Sequence, residues 1–161
     1  MRIITASPSH IPLIRNLAEK IWWATYPSIL KEDQISFMLE TLYNENAIKK
    51  AMETDQEFIL LELDDYIGFA SFGPIGRNSS TYKLHKLYVL PEYWGKGYGR
   101  IMIQEITHRL KALGLNHLIL NVNRFNTAKI FYEKLGFQVI KEEDIPIGPY
   151  WMNDYVMRLE F

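Results

Sequence analysis

Three glycines at alternate positions, Gly95, Gly97 and Gly99, stand between a β-prone run and an amphipathic helical pattern, within HKLYVLPEYWGKGYGRIMIQEITHRL from His85 to Leu110. Such a turn can aim several backbone N–H groups at one small volume, and the helix behind it adds unpaired first-turn donors and the positive end of its dipole. That combination suits an anion, phosphate above all. The candidate cradle is the backbone of Trp94, Gly95, Lys96, Gly97, Tyr98, Gly99 and Arg100. Lys96 and Arg100 either add positive charge beside the phosphate or are merely solvated. Spacing excludes two nucleotide loops. A Walker loop needs GxxxxGK followed by Ser or Thr, and GKGYGR offers no hydroxyl for magnesium. A Rossmann turn needs GxGxxG in the first βαβ unit, which GxGxG in mid-chain does not match. His85 and Glu92 are the titratable groups nearby. His85 shares strand parity with Leu87 and Val89, so it lies on their face of the sheet unless a bulge intervenes, and its ordinary near-neutral pKa lets it accept a proton. It is equally readable as a structural strand histidine, and Glu92 as a solvated loop carboxylate.

Holding these groups in place takes a strand before the turn and a helix after it. Tyr82 to Leu90 reads as a strand ended by Pro91, and Ile101, Met102, Ile103, Ile106, Leu110 and Leu113 predict a helix of about fifteen residues closed by Gly114. Asn116 to Val122 then reads as a buried strand, completing a βαβ unit with parallel strands and a right-handed crossover. Upstream, Arg2 to Ala6 is β-prone, Ser7 to Ser9 supply a cap, and Ile14, Leu17, Ala18 and Ile21 keep helical spacing until Pro27. A second helical stretch from near Lys31 is interrupted at Asn44 to Asn46 and resumes through Met52. Glu57 to Leu63 and Tyr66 to Phe72 read as strands joined across Asp64 and Asp65, followed by a loop over Gly73 to Ser80. Downstream come a helix from Thr127 to Leu135 and closing strands at Phe137 to Lys141 and Trp151 to Phe161, separated by a loop from Ile145 to Pro149.

The 161 residues suit one domain, 1–161, with a core that needs no staples. There is no cysteine, which removes disulfides, Cys-based zinc and a thiol nucleophile, and the four histidines form no metal-like pair, so no metal is expected. No run approaches the ~20 apolar residues of a membrane span, and the amino terminus is unlike a signal peptide, so the expectation is a cytoplasmic chain with no membrane partner. Eighteen basic against nineteen acidic residues give a formal charge of −1, which argues against a nucleic-acid partner. A homodimer stays open. Aromatics make up 14% of the chain, enough either to line a pocket or to overfill a core.

YVLPEYWGKGYGRIM, followed by the stretch from Asn126 to Phe137 with its YEKLGF, resembles the GCN5-related N-acetyltransferase (GNAT) family over most of the chain. The family's acetyl-CoA signature is Q/RxxGxG/A with a later NxxAxxxYxxxGF segment. Two departures stand out. Trp94 sits where the family usually has Gln or Arg, and Asn126 lies two residues before Ala128 where three is common. The resemblance implies a single α/β domain, a mixed and mostly antiparallel sheet splayed at a central parallel βαβ pair, with helices on both faces. It implies acetyl-CoA in the glycine cradle, with the backbone at Leu87, Tyr88 and Val89 pairing with the pantetheine arm, a nearby N–H polarising the thioester, and Asn126 reaching the cofactor. Tyr132 matches the family's general acid, since a phenol is still protonated at neutral pH and can reprotonate a thiolate. The base is His85, Glu92 or water. Trp22, Trp23 and Tyr26, with Tyr150, Trp151 and Tyr155, either wall an acceptor pocket or pack between helices and sheet; in the first case Trp22, Tyr26, Tyr150 and Trp151 contact the acceptor, and Glu32, Asp33 or Asp154 would suit a cationic amine. The implied activity is direct acetyl transfer to a primary amine, a small amine or polyamine. A protein or peptide acceptor, or a non-catalytic acetyl-CoA sensor, are the alternatives.

Overall fold

The computed structural model describes residues 1–161. In chain order the strands are β1 (Arg2–Thr5), β2 (Glu57–Glu62), β3 (Tyr66–Pro74), β4 (Tyr82–Val89), β5 (His117–Asn123), β6 (Gln138–Ile147) and β7 (Tyr150–Glu160). The helices are α1 (Ile11–Thr25), α2 (Glu32–Leu42), α3 (Glu45–Thr54), α4 (Tyr98–Ala112) and α5 (Ala128–Lys134). All seven strands join one sheet in the order β1-β2-β3-β4-β5-β7-β6, antiparallel throughout except for the β4–β5 pair that α4 bridges.

Helices cover both faces, because the period-2 alternation of the strands supplies two apolar surfaces. On β2, Phe58 and Leu60 enter a cluster with Ile14, Leu17, Ile21 and Trp22 of α1, Ile35 and Met38 of α2, and Ile48 of α3. Ile59 and Leu61 face the other way, against Met102, Ile103, Ile106 and Leu110 of α4. The break at Asn44 is a helix cap: its Oδ1 accepts the Ala47 N–H (2.8 Å), so one helical pattern becomes two helices at an angle.

Three expectations are corrected. The loop from Ile145 to Pro149 is mostly strand, for β6 runs to Ile147 and only Gly148 and Pro149 turn the chain into β7. Pro146 is tolerated there because β6 is the sheet's edge, where a missing N–H leaves no neighbour unpaired. Likewise β3 continues through Gly73 and Pro74. Third, a bulge does intervene at His85: Ser71 pairs with Lys86 and Phe72 with Leu84, leaving His85 as the extra residue. Leu84 therefore joins Leu87 and Val89 on the α4 side, and His85 loses the parity that linked it to them.

Candidate active site

The β4–β5 ladder is short. It links Tyr82, Lys83 and Leu84 to Leu118, Ile119 and Leu120 and then stops, although β5 stays paired with β7 as far as Asn123. Beyond Leu84 the two strands part. The Leu90 amide donates to the Ile67 carbonyl (2.8 Å), so antiparallel alternation turns Leu90, Tyr88 and Lys86 toward β3 and leaves the peptide groups of Val89 and Leu87 aimed into the opening. The result is a length of strand edge with no strand to pair with.

The glycine turn lies at the mouth of this opening. Gly95 (φ +74°) and Gly97 (φ +86°) adopt left-handed backbone, and Gly97 is the N-cap of α4 with no side chain to satisfy the first-turn N–H groups. Gly99 is needed for a different reason: a Cβ there would meet Phe131 Cζ at 3.0 Å, so this glycine lets the start of α4 abut α5. Lys96 rests over the Tyr93 ring (5.2 Å), and neither it nor Arg100 forms an ion pair with a carboxylate. Trp94 is half exposed, and its indole Nε1 donates to the Val89 carbonyl (2.6 Å), tying the start of the turn to the end of β4.

On the far side of the opening α5 carries Tyr132, buried against Phe131 and Phe137. Burial pushes its phenol well above the ordinary value, with the Tyr26 hydroxyl adding to the effect. Tyr132 belongs to the cluster under α4, whereas Tyr26 packs, and Tyr88 leans, against the cluster under α1 to α3. Tyr132 nevertheless also raises the Tyr88 phenol. The hydroxyls converge where the strands part. Asn126 contributes indirectly: its Oδ1 accepts the Ala128 N–H (2.9 Å), capping α5, and its amide lies beside the Tyr26 hydroxyl.

The aromatic residues divide. Trp22 stacks on Tyr26 (centroids 4.2 Å apart) and meets Tyr43 (5.5 Å), all three buried, so Trp22 is packing with its Nε1 left without a partner. Tyr150 stacks on Phe37 (5.2 Å) and donates to Asp33 Oδ2 (3.1 Å), locking the β6–β7 hairpin tip to α2. Trp151 is exposed. Tyr43 is the member of the tyrosine group that the sequence did not single out; only its place beside the Asn44 cap hinted at a fixed position.

His85 is elsewhere. Its ring lies near Asp55, Gly73, Lys83 and Lys86, and burial with the two lysines pulls its pKa down to about 4. That neighbourhood adjoins a surface depression of about 540 Å³, lined by Lys49, Glu53, Asp55, Gln56 and Pro74 among others. It sits at the opposite end of the strands from the glycine turn and touches no cradle residue.

An unpaired edge on β4, a glycine turn at its end and a buried tyrosine across the gap are the parts of one recognisable site. The family model described as Acetyltransferase (GNAT) family matches residues 16–137. The chain belongs to the GNAT family. Among solved GNAT structures it resembles the PaiA N-acetyltransferase of Thermoplasma acidophilum in complex with coenzyme A, with TM-score 0.81 and 26% identity over 100% of both chains. It is also 28% identical to the spermidine N(1)-acetyltransferase of that organism over 76% of this chain and 79% of the relative. The [ribosomal protein bS18]-alanine N-acetyltransferase of Haemophilus influenzae is 32% identical over 50% of this chain and 53% of the relative. The match thus spans about half the length of that GNAT relative. No helix is long and apolar enough to cross a membrane.

Proposed function

We propose that the chain is an acetyl-CoA-dependent N-acetyltransferase that moves acetyl directly to a primary amine, with a small amine or polyamine as acceptor. The observation that carries this reading is the unpaired edge of Leu87 and Val89 next to the glycine turn, with Leu87 packed against the same cluster as Tyr132. The pyrophosphate of acetyl-CoA suits the N–H groups between Gly95 and Arg100, with Lys96 and Arg100 free to pair with it. The pantetheine amides suit the strand edge in the manner of an added strand. Trp94 holds the Val89 carbonyl, so the groups left for the arm are the Val89 N–H and both groups of Leu87.

At the reacting end, an edge N–H polarises the thioester carbonyl, the amine lone pair attacks its carbon, and the C–S bond breaks with the thiolate taking the Tyr132 proton, while the proton shed by the attacking nitrogen passes through water and restores the phenol. Burial raises a phenol and a thiolate alike, so the pair stays matched in the closed site. His85 suits the base role poorly: a conjugate acid near 4 lies roughly six units below a typical ammonium, so the ammonium proton leaves to water. With no cysteine in the chain, an acetyl-thiol intermediate on the enzyme has no residue to form on.

The spermidine relative, matched over more than three quarters of both chains, favours a small polycation. The bS18-alanine relative, more similar over a shorter span, favours a peptide amino terminus as the second reading. Incubation with acetyl-CoA and a panel of amines, polyamines and peptides, followed by free CoA, separates them. Release with spermidine and not with alanine-terminated peptides supports the first reading, and the reverse supports the second. Tight acetyl-CoA binding with no release from any acceptor would leave a sensor module.

A further inference from the structure

We infer that Asp154 is the residue that receives the cationic acceptor, through an oxygen the fold leaves without a partner; the inference rests on the N-acetyltransferase reading and names the class of acceptor, a primary ammonium. Asp154 lies in the middle of β7, opposite Asn123 of β5 and Glu143 of β6. It is 6% exposed. Its Oδ2 accepts the Asn121 amide (3.3 Å), whereas Oδ1 is buried with no hydrogen-bond partner. A desolvated carboxylate oxygen without a donor is costly, and folds retain such an atom where something else supplies the donor.

The position suits an amine. Along β7, Tyr155 and Met157 face the α4 cluster, so Asp154 faces the side of the sheet that holds α1 to α3. Its charge acts on the Tyr26 hydroxyl, and Tyr26 in turn acts on Tyr132, so the carboxylate and the proposed acid have Tyr26 as a common neighbour. The other acids suggested for this role are occupied or remote: Asp33 accepts the Tyr150 hydroxyl and the Gln34 N–H, and Glu32 is exposed on α2. Lys83, Arg124 and Glu143 are the charged groups around Asp154. Arg124 pairs with Glu142 and Asp144, and Lys83 makes no ion pair, so neither donates to Oδ1. A primary ammonium has three donors on a compact charge and can satisfy Oδ1 while keeping one donor for a hydroxyl such as that of Tyr26. Entry requires the side chains covering Oδ1 to part.

The test is Asp154→Asn, which keeps the shape and the bond to Asn121 and removes the charge. Spermidine and an alanine-terminated tripeptide are titrated into the CoA-bound protein, and KM and kcat are measured for whichever is acetylated. The expected result is a tenfold or greater rise in Kd and KM for the amine, about 1.4 kcal/mol, with the Kd of acetyl-CoA unchanged. Equal amine affinity in wild type and variant, or amine binding to neither, overturns the inference. Loss of acetyl-CoA binding by the wild type overturns the underlying reading instead. Should the variant fail to fold, carboxyl-labelled wild-type protein gives the same answer: the Asp154 carbon resonance shifts on adding the amine, and its constancy at saturating amine overturns the inference.

Discussion

At the scale of single residues, the proposed site gives Tyr132 and Trp94 different work on the same cofactor, and the two should separate in kinetics. Tyr132→Phe removes the proposed proton donor and little volume, so kcat should fall about 10²-fold with the Kd of acetyl-CoA unchanged, measured by CoA release and calorimetry. Trp94→Phe removes the indole N–H held by the Val89 carbonyl and loosens the turn from the strand. One hydrogen bond of that kind is worth about 1 kcal/mol, so the Kd of acetyl-CoA should rise roughly fivefold with kcat unchanged. His85 makes a prediction about stability. Its folded pKa, about 4, is below the unfolded 6.5, so between those values the unfolded chain binds more protons. The stability it confers is complete above pH 6.5 and is lost as pH falls toward 4. His85→Gln should therefore flatten the acid side of the Tm-against-pH curve; an unchanged slope would mean the ring is solvated.

At the scale of elements, α4 and α5 have to meet at Gly99 for the proposed cradle and the proposed acid to face one opening. A methyl at Gly99 pushes on the Phe131 ring and so on the helix that carries Tyr132. Gly99→Ala should lower kcat several-fold while acetyl-CoA binding changes less. Gly97→Ala differs, because its left-handed backbone costs a side chain about 1–2 kcal/mol and it opens the helix whose N–H groups form the cradle. Here acetyl-CoA affinity should drop first. The α2–α3 corner depends on Asn44, and Asn44→Ala should cost about 1 kcal/mol, read as a lower urea midpoint at unchanged m-value.

At the scale of the whole molecule, acetyl-CoA seated in the proposed site, along the free edge of β4, would bind only the folded chain. At a hundred times its Kd it should stabilise by about 2.7 kcal/mol, a Tm rise of about 5–10 °C for a chain of this size. Much of this architecture was legible beforehand. Periodicity marks α1 and α4, Pro91 and the alternate glycines mark the strand-to-helix turn, and together they specify the βαβ unit whose parallel strands part. These are local properties, carried by side chains within a few residues of one another, and the order of residues along the chain is enough to state them. The acceptor side is not local. The bulge that removes His85 from its expected face depends on how β4 registers against β3, and Pro146 sits within a strand because β6 is an edge. The group formed by Tyr26, Tyr43, Tyr88 and Tyr132 draws on α1, the α2–α3 corner, β4 and α5, which no spacing connects. Asp154 reads in sequence as one of three acids, with Glu32 and Asp33, that would suit a cationic amine. Only burial beside Asn121, with Arg124 paired to Glu142 and Asp144, leaves one of its oxygens unpaired, because desolvation and the count of donors within reach are set by elements that fold together from distant parts of the chain.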